Sequence, residues 1–161
     1  MADVSVPGDA RSAQFSGMSH AELTTITAAW PTSTLTPGPV GELLAKARRQ
    51  FALGGVEYTQ FLTAFTTSLQ ACELMLHSRV PTDKPNAIRM FSQLIDAAAK
   101  AGLLTEWQCD WLKDFALRFR NRLAHPKDEW VLTPGMAEIL LAGCHQFIAE
   151  FAEQHPTVGT D

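Results

Sequence analysis

The chain has 161 residues, with 13 Lys and Arg against 17 Asp and Glu and a formal net charge of -4. Its length predicts one domain, and 46% hydrophobic with 19% charged residues is typical of a globular protein. No apolar run approaches the ~20 residues needed to cross a bilayer, and residues 1–19 lack the apolar core of a signal peptide. We therefore expect a cytoplasmic protein with no membrane partner. The acidic total argues against a broad nucleic-acid surface and leaves room for a focused one.

The three cysteines, Cys72, Cys109 and Cys144, are odd in number and far apart in the sequence. Neither a CxxC pair nor an HExxH motif occurs. These features disfavour a disulfide framework and a zinc site, so each cysteine is predicted to be a small core residue. No cofactor and no metal ion are expected.

Residues 1–38 are rich in Ser, Thr, Pro, Gly and Ala and hold few charges. This composition predicts a mobile N-terminal tail that contributes little to the fold. The tail has room for one short helix from Ser19 to Trp30, because Ser19 and Glu22 form a capping-box pattern. The expected domain limits are the tail over residues 1–38, a helical bundle over residues 39–154 and a frayed C-terminal tail over residues 155–161.

Apolar residues recur at helical spacing in three segments after residue 38. The first segment begins near Pro39, which suits the first turn of a helix, and ends at Gly54-Gly55. The third runs from about residue 86 to 101 and is capped by Gly102. The second, residues 56–79, carries the longest apolar stripe, which consists of Tyr58, Leu62, Phe65, Leu69, Cys72 and Leu76.

Two further helices are predicted. The fourth starts at Thr105, which forms a second capping box with Gln108. The fifth is capped by Thr133 and opened by Pro134. Because there is no internal repeat and no strand-like alternation, the sequence predicts an all-α fold, a single up-and-down bundle of about five helices. The predicted buried face of the fourth helix consists of Leu112, Phe115, Ala116, Phe119 and Leu123.

The end of the fourth helix holds a basic cluster, the run Arg118-Phe-Arg-Asn-Arg-Leu-Ala-His-Pro126. One interpretation is a solvated helix face whose arginines pair with Asp114, Asp128 and Glu129. The other is chemical. A histidine near neutral pKa can accept a proton from a hydroxyl, an arginine can hold a phosphate, and an asparagine can orient either group. RNA carries its own nucleophile, the ribose 2′-hydroxyl, so such a set suffices for strand cleavage without a metal ion.

Helical geometry arranges the members of this cluster in two directions. At about 100° per residue, Arg118 and Asn121 lie on the same side of the helix as His125. On an ideal helix, Arg120 lies about 140° round from His125. Pro126 disfavours the helical conformation for the residue before it, so we expect His125 at or just past the helix end.

The segment from Arg120-Asn121 to His125 resembles the signature of the HEPN superfamily (higher eukaryotes and prokaryotes nucleotide-binding domains), an arginine, a polar residue, three further residues and a histidine. Arg118 also satisfies the family's spacing, but Arg120 is the better match because Asn121 follows it directly. The resemblance covers about residues 40–151. It includes Leu43-Leu-Ala-Lys-Ala-Arg-Arg-Gln-Phe51, Tyr58 and Cys72-Glu-Leu-Met-Leu76, which are similar to a bacterial HEPN-type group.

The resemblance implies an all-α bundle of four to five helices and, in many members, a metal-independent endoribonuclease that serves as a toxin, a phage-defence effector or an RNA-processing enzyme. It implies catalytic roles for Arg120, Asn121 and His125, whose counterparts in two subunits commonly meet across a dimer interface. Arg118, Arg122 and Lys127 are the expected RNA or phosphate contacts. Other members of the superfamily are non-catalytic modules that bind a nucleotide or a protein partner, and that alternative stays open.

Two further predictions concern the surroundings of the cluster. Glu73, on the second predicted helix, either orients the basic cluster or serves as a partly buried salt-bridge partner. A homodimer is expected, because one cluster offers one histidine whereas cleavage calls for a base and an acid. Some of Trp107, Trp111 and Trp130 would lie in its interface, unless all three are core residues. The weaker alternative is a toxin-like subunit controlled by a nucleotidyltransferase or another antitoxin partner.

Overall fold

The computed structural model describes residues 10–15, 17–81, 90–124 and 132–156. These residues form helices and no strand, so the prediction of an all-α bundle is confirmed. None of the described helices is long and apolar enough to cross a membrane. In chain order the helices are α1 (Ala10–Phe15), α2 (His20–Ala28), α3 (Gly38–Leu53), α4 (Thr59–His77), α5 (Phe91–Lys100), α6 (Glu106–Asp110), a π-helical segment (Trp111–Leu117), α7 (Arg118–Ala124) and α8 (Pro134–Gln154).

Helices α3 and α4 form the most extensive packing contact in the bundle. The predicted close of α3 at Gly54 is confirmed, since Gly54 is its C-cap. A Cβ atom on Gly54 would lie 2.6 Å from the ring of Phe61, so only glycine lets the two helices approach this closely. Phe51 and Phe61 meet edge to face, with ring centroids 5.2 Å apart, at the centre of the core.

The stripe predicted for the second helix holds with one exception. Phe65, Leu69, Cys72 and Leu76 are buried on α4, whereas Leu62 is exposed and the neighbouring Phe61 is buried in its place. Helix α4 is covered by α3, α8 and α5, so its buried face is wider than one stripe and is centred on Phe61 rather than on Leu62.

Residues 20–30 belong to the core, so the prediction that the first 38 residues contribute little to the fold is wrong for this stretch. Helix α2 forms as predicted, with Ser19 and Glu22 making both bonds of the capping box. It packs on α3, and both Leu23 and Trp30 are buried. The ring of Trp30 lies edge to face with Phe51, with centroids 5.1 Å apart. Few apolar residues are enough to attach this stretch to the bundle, because burial of a large apolar side chain is strongly favourable.

The fourth predicted helix is one continuous rod over residues 106–124, built from α6, the π-helical segment and α7. Its capping box between Thr105 and Gln108 is confirmed. Leu112 and Ala116 are buried as predicted, but Phe115 is 48% exposed, so its assignment to the buried face is wrong. A π-helical turn holds more residues than an α-helical one, which shifts the buried face along the segment.

The C-terminal helix α8 closes the bundle against α4 and α3. The predicted cap is confirmed, since the hydroxyl of Thr133 accepts from the backbone N–H of Met136 at 3.2 Å.

The predicted fraying from residue 155 is wrong for His155. Its Nε2 donates to the carbonyl oxygen of Leu103 at 2.8 Å, and its own carbonyl accepts from Nε of Arg79 at 2.8 Å. Residues 157–161 lie outside the described residues.

Candidate RNA-binding and catalytic site

Helix α7 presents the described polar residues of the basic cluster at the surface. Arg118, Arg120, Asn121 and Arg122 are all exposed. Arg118 makes no ion pair with Asp114, although both belong to the described residues, so that part of the solvated-face interpretation is not supported. Its other proposed partners, Asp128 and Glu129, lie outside the described residues.

Arg120 differs from the neighbouring arginines because two other helices hold its side chain. Its Nη2 lies 3.2 Å from Oε1 of Glu73 on α4. Its guanidinium also lies 5.7 Å from the ring centroid of Phe91, the first residue of α5. A charge-assisted contact and a cation–π contact from separate elements restrict the rotamers of this long side chain. The expectation that Glu73 contacts the basic cluster therefore has a specific form, a pair with Arg120.

Glu73 is the one described residue that forms an ion pair with Arg120, so most of the hydrogen-bonding capacity of the guanidinium has no partner among the described residues. A guanidinium has five N–H donors in a planar fork, and the contact with Glu73 is made by one of its nitrogens. Both side chains are partly exposed, so a phosphate can approach Arg120 from the solvent side. Glu73 at the same time partly neutralises the arginine, which weakens the attraction for an anion and fixes its direction.

The remaining members of the predicted site, His125 and Lys127, lie outside the described residues. The structure therefore brings together Arg120 and Glu73, and it places Arg118, Asn121 and Arg122 on the same exposed helix. The relation of His125 to Arg120 stays a prediction from the sequence.

The π-helical segment directly before α7 is a feature that sequence reasoning missed. Such segments are rare and often occur at functional sites, where they change the direction of the residues that follow. Trp111, its first residue, packs on α8 at Gly143, where a Cβ atom would lie 2.5 Å from the indole ring. The π-helical segment is thus accompanied by the contact of Trp111 with Gly143, which lies 32 positions away in the sequence. A local sequence pattern does not reveal such a contact.

Three aromatic side chains lie along this helix, one in α6 and two in the π-helical segment. We call them the aromatic patch and define it as Trp107, Trp111 and Phe115. Trp107 is 49% exposed and Phe115 is 48% exposed, whereas Trp111 is half-buried. The rings of Trp107 and Trp111 stack with centroids 6.5 Å apart. Exposed groups of this kind usually mark an interaction surface.

The cysteines behave as predicted for core residues in two cases. Cys72 and Cys144 are fully buried, and Cys109 is half-buried; none is in a disulfide. Burial, together with the neighbouring thiol of Cys144, raises the pKa of Cys72 well above its ordinary value, so Cys72 is a poor nucleophile. Within the described ranges, no group of three or more His, Cys, Asp or Glu residues is placed to hold a metal ion.

Comparisons with protein-family models, with curated proteins and with solved structures give no match to this chain. Its function is therefore inferred from the signature residues and from the geometry around Arg120.

Proposed function

We propose that the protein is a metal-independent endoribonuclease of the HEPN type. The observation that carries the proposal is a contrast among the three exposed arginines of α7: Arg120 is held by Glu73 and Phe91, whereas Arg118 and Arg122 form no ion pair with a described residue. A restrained arginine is suited to stabilising charge on one phosphate, because little side-chain order must be created during the reaction. Exposed arginines on the same helix are suited to contacts with the rest of the RNA backbone.

In the proposed reaction, His125 accepts the proton of the ribose 2′-hydroxyl. The 2′-oxygen attacks the adjacent phosphorus, a bond forms between them, and the bond from phosphorus to the 5′-oxygen breaks. Arg120 neutralises the phosphate, Asn121 holds His125 or the phosphate in place, and Arg118, Arg122 and Lys127 contact the RNA backbone. The products are a 2′,3′-cyclic phosphate and a 5′-hydroxyl, and the departing 5′-oxygen needs a proton donor.

A homodimer would supply that proton donor, since the His125 of a second copy can act as the acid. The aromatic patch is the surface we assign to the dimer interface, because Trp107 and Phe115 are exposed on the helix that carries Arg118 and Arg122. Trp111 is better described as a partial core residue, since it stacks on Phe147 with centroids 6.3 Å apart. Light scattering after size exclusion is expected to give a dimer, and a Trp107→Ser variant is expected to shift it toward monomer. A monomer of the wild type at micromolar concentration contradicts the paired site.

A second candidate is a non-catalytic helical module that binds a nucleotide or a protein partner. The observation that favours it is the same aromatic patch, because exposed tryptophan is enriched in protein interfaces. In a toxin–antitoxin or phage-defence system, the partner would be a nucleotidyltransferase or another antitoxin. On that alternative the purified chain binds RNA or a partner and cuts nothing.

The deciding experiment incubates the purified full chain with labelled single-stranded RNA in EDTA, beside a DNA strand of the same sequence. We expect the RNA to be cut with a cyclic phosphate end and the DNA to stay intact, because DNA lacks the attacking hydroxyl. An Arg118→Ala variant is expected to bind RNA more weakly in a salt-dependent way while the chemical step is retained. Intact RNA under all conditions, including with a co-expressed partner, contradicts the enzyme and leaves the binding module.

A further inference from the structure

A separate cavity of about 100 Å³ lies away from α7, between the turn that follows α2, the helix α3 and the helix α8. Its walls come from all three elements, so it forms only because residues 30–36 fold onto the bundle. A cavity of this size has room for a few water molecules or one small molecule, since a water occupies about 30 Å³ of liquid. The residues around it are Pro31, Thr32, Ser33, Thr36, Gly41, Leu44, Ala45, Arg48, His145 and Ala149.

Arg48 brings a positive charge to this cavity, and no carboxylate of the part of the chain that the structure describes pairs with it. Its Nη2 donates to the carbonyl oxygens of Trp30 at 3.0 Å and of Pro31 at 3.4 Å. Its Nε is buried and has no hydrogen-bond partner among the described residues, and none of them forms an ion pair with it. Burial lowers the pKa of Arg48, which reflects the cost of keeping this charge away from water.

His145 lines the same cavity and is fully buried. Its Nδ1 lies 2.9 Å from the carbonyl oxygen of Leu141. A carbonyl only accepts hydrogen bonds, so Nδ1 carries the proton and Nε2 of the neutral ring is an acceptor. Nε2 is buried and has no donor among the described residues. The neutral form is favoured, because burial and the charge of Arg48 lower the pKa of His145 to about 4.

Three residues that carry hydroxyl groups, Thr32, Ser33 and Thr36, also line the cavity. Ser33 Oγ accepts from the backbone N–H of Leu35 at 3.2 Å, so the hydroxyl proton of Ser33 remains available to donate. The lining of the cavity thus combines a guanidinium that has no carboxylate partner among the described residues, three residues with hydroxyl groups and one buried acceptor.

We propose that this cavity is a binding site for a small oxyanion that also carries a hydroxyl group. The guanidinium of Arg48 and the hydroxyl groups of the lining satisfy the anionic oxygens, and Nε2 of His145 accepts from the hydroxyl of the ligand. Hydrogen phosphate and the 2-hydroxy acids both have this chemistry, and a simple carboxylate lacks the hydroxyl. The site is independent of the proposed nuclease reaction, because no residue of α7 lines the cavity and Arg48 and Arg120 share no contact among the described residues.

The test measures the thermal midpoint, Tm, of the full chain while sodium phosphate, glycolate or acetate replaces sodium chloride at constant ionic strength. A ligand at about 100 times its Kd is expected to raise Tm by roughly 5 to 10 °C. We expect phosphate or glycolate to produce a saturable rise and acetate to produce a clearly smaller one. The stronger of the first two identifies the chemical source of the oxyanion.

Four variants locate the effect. Arg48→Met removes the charge, and Arg49→Met is its matched control on the next, exposed position of α3. Arg120→Ala tests whether phosphate acts at α7 instead. Gly41→Leu narrows the cavity, and a Cβ atom at Gly41 meets no atom within 4 Å, so this variant is expected to fold.

The proposal requires the rise in Tm to disappear in Arg48→Met and Gly41→Leu and to persist in Arg49→Met and Arg120→Ala. No rise with phosphate or glycolate in the wild type overturns it. An equal rise with acetate overturns the role of His145, and a rise that survives in Gly41→Leu places the anion elsewhere.

Discussion

Arg120 is an exposed arginine and Arg48 is a half-buried one, and their surroundings give them different properties. Arg120 pairs with a carboxylate on α4 and lies over an aromatic ring. Arg48 has two backbone carbonyls as partners and a buried histidine nearby. The side chain of Arg120 is restrained and still accessible to solvent. The side chain of Arg48 is restrained, and its charge has no carboxylate partner among the described residues. Charge alone therefore does not describe an anion site; the neighbouring groups decide what it can bind.

The two regions also differ in what depends on them. On α7 the side chains of Arg118, Asn121 and Arg122 are exposed, so they carry little packing and can be changed without loss of the fold. The Arg48 region joins residues 30–36 to α3 and α8, and it belongs to the core through Trp30. We expect substitutions in the first region to change activity alone and substitutions in the second to change stability first.

The largest expected effect is on catalysis. His125→Ala should reduce RNA cleavage by ~10² to 10⁴-fold, because removal of a positioned acid–base group has this cost. Arg120→Ala should reduce the cleavage rate by nearly the same factor. Single-turnover cleavage in EDTA measures the rate, and circular dichroism with thermal unfolding checks that the fold is intact. His77→Ala, at an exposed histidine on α4, is the matched control. Cleavage by His125→Ala at the wild-type rate removes the proposed mechanism.

The second effect is on stability. Trp30→Ala should lower the free energy of unfolding by about 3 kcal/mol, because it removes a large buried ring that contacts Phe51 and His145. Urea unfolding measures the change, and Leu35→Ala, at an exposed leucine, is the comparison. A change in Trp30→Ala no larger than that in Leu35→Ala would show that residues 20–30 do not belong to the cooperative core.

The third effect is a pH dependence that belongs to the Arg48 region. The folded pKa of His145 is lowered to about 4 from 6.5, so between these values the unfolded chain binds a proton that the folded chain does not. The contribution of His145 to the free energy of unfolding is therefore complete above pH 6.5. It is lost as the pH decreases toward 4, and the total loss is roughly 3 kcal/mol.

Urea unfolding in phosphate-free buffers across this pH range tests whether the free energy of unfolding falls with decreasing pH. In His145→Leu, the free energy of unfolding should change less between about pH 6.5 and 5, which is above the range where most carboxylates titrate. His77→Gln, at an exposed histidine, should leave it unchanged. Equal slopes for His145→Leu and the wild type would mean that His145 is not the group responsible.

The smallest effect sharpens the contrast at Arg120. Glu73→Gln keeps a hydrogen-bonding group beside Arg120 and removes the charge, so the arginine loses part of its orientation. Because both side chains are partly exposed, we expect a loss of about fivefold in kcat, equivalent to about 1 kcal/mol, with a smaller change in KM. Glu153→Gln on α8 is the control, and steady-state cleavage separates the two constants. A change in stability with no change in kcat would make Glu73 a structural partner only.

The helices were readable from the sequence because their signals are local. Capping boxes at Ser19 and Thr105 and the cap at Thr133 each involve residues three positions apart, and each forms as predicted. Gly102 ends α5 with a φ of 71°, a conformation that glycine adopts without steric cost. The basic cluster was equally local, since its arginines lie within five residues of one another.

Tertiary packing decided the rest. Three features depend on contacts between residues far apart in the sequence: the burial of Trp30, the exposure of Phe115 and the packing of Trp111 against Gly143. The pair of Arg120 with Glu73 spans 47 positions, and the cavity at Arg48 joins elements separated by about a hundred residues. Helix periodicity states which residues share a face, but the depth to which a face is buried depends on how many elements cover it. A short-range sequence pattern does not predict how deeply a face is buried, because the depth of burial is set by the packing of the whole bundle.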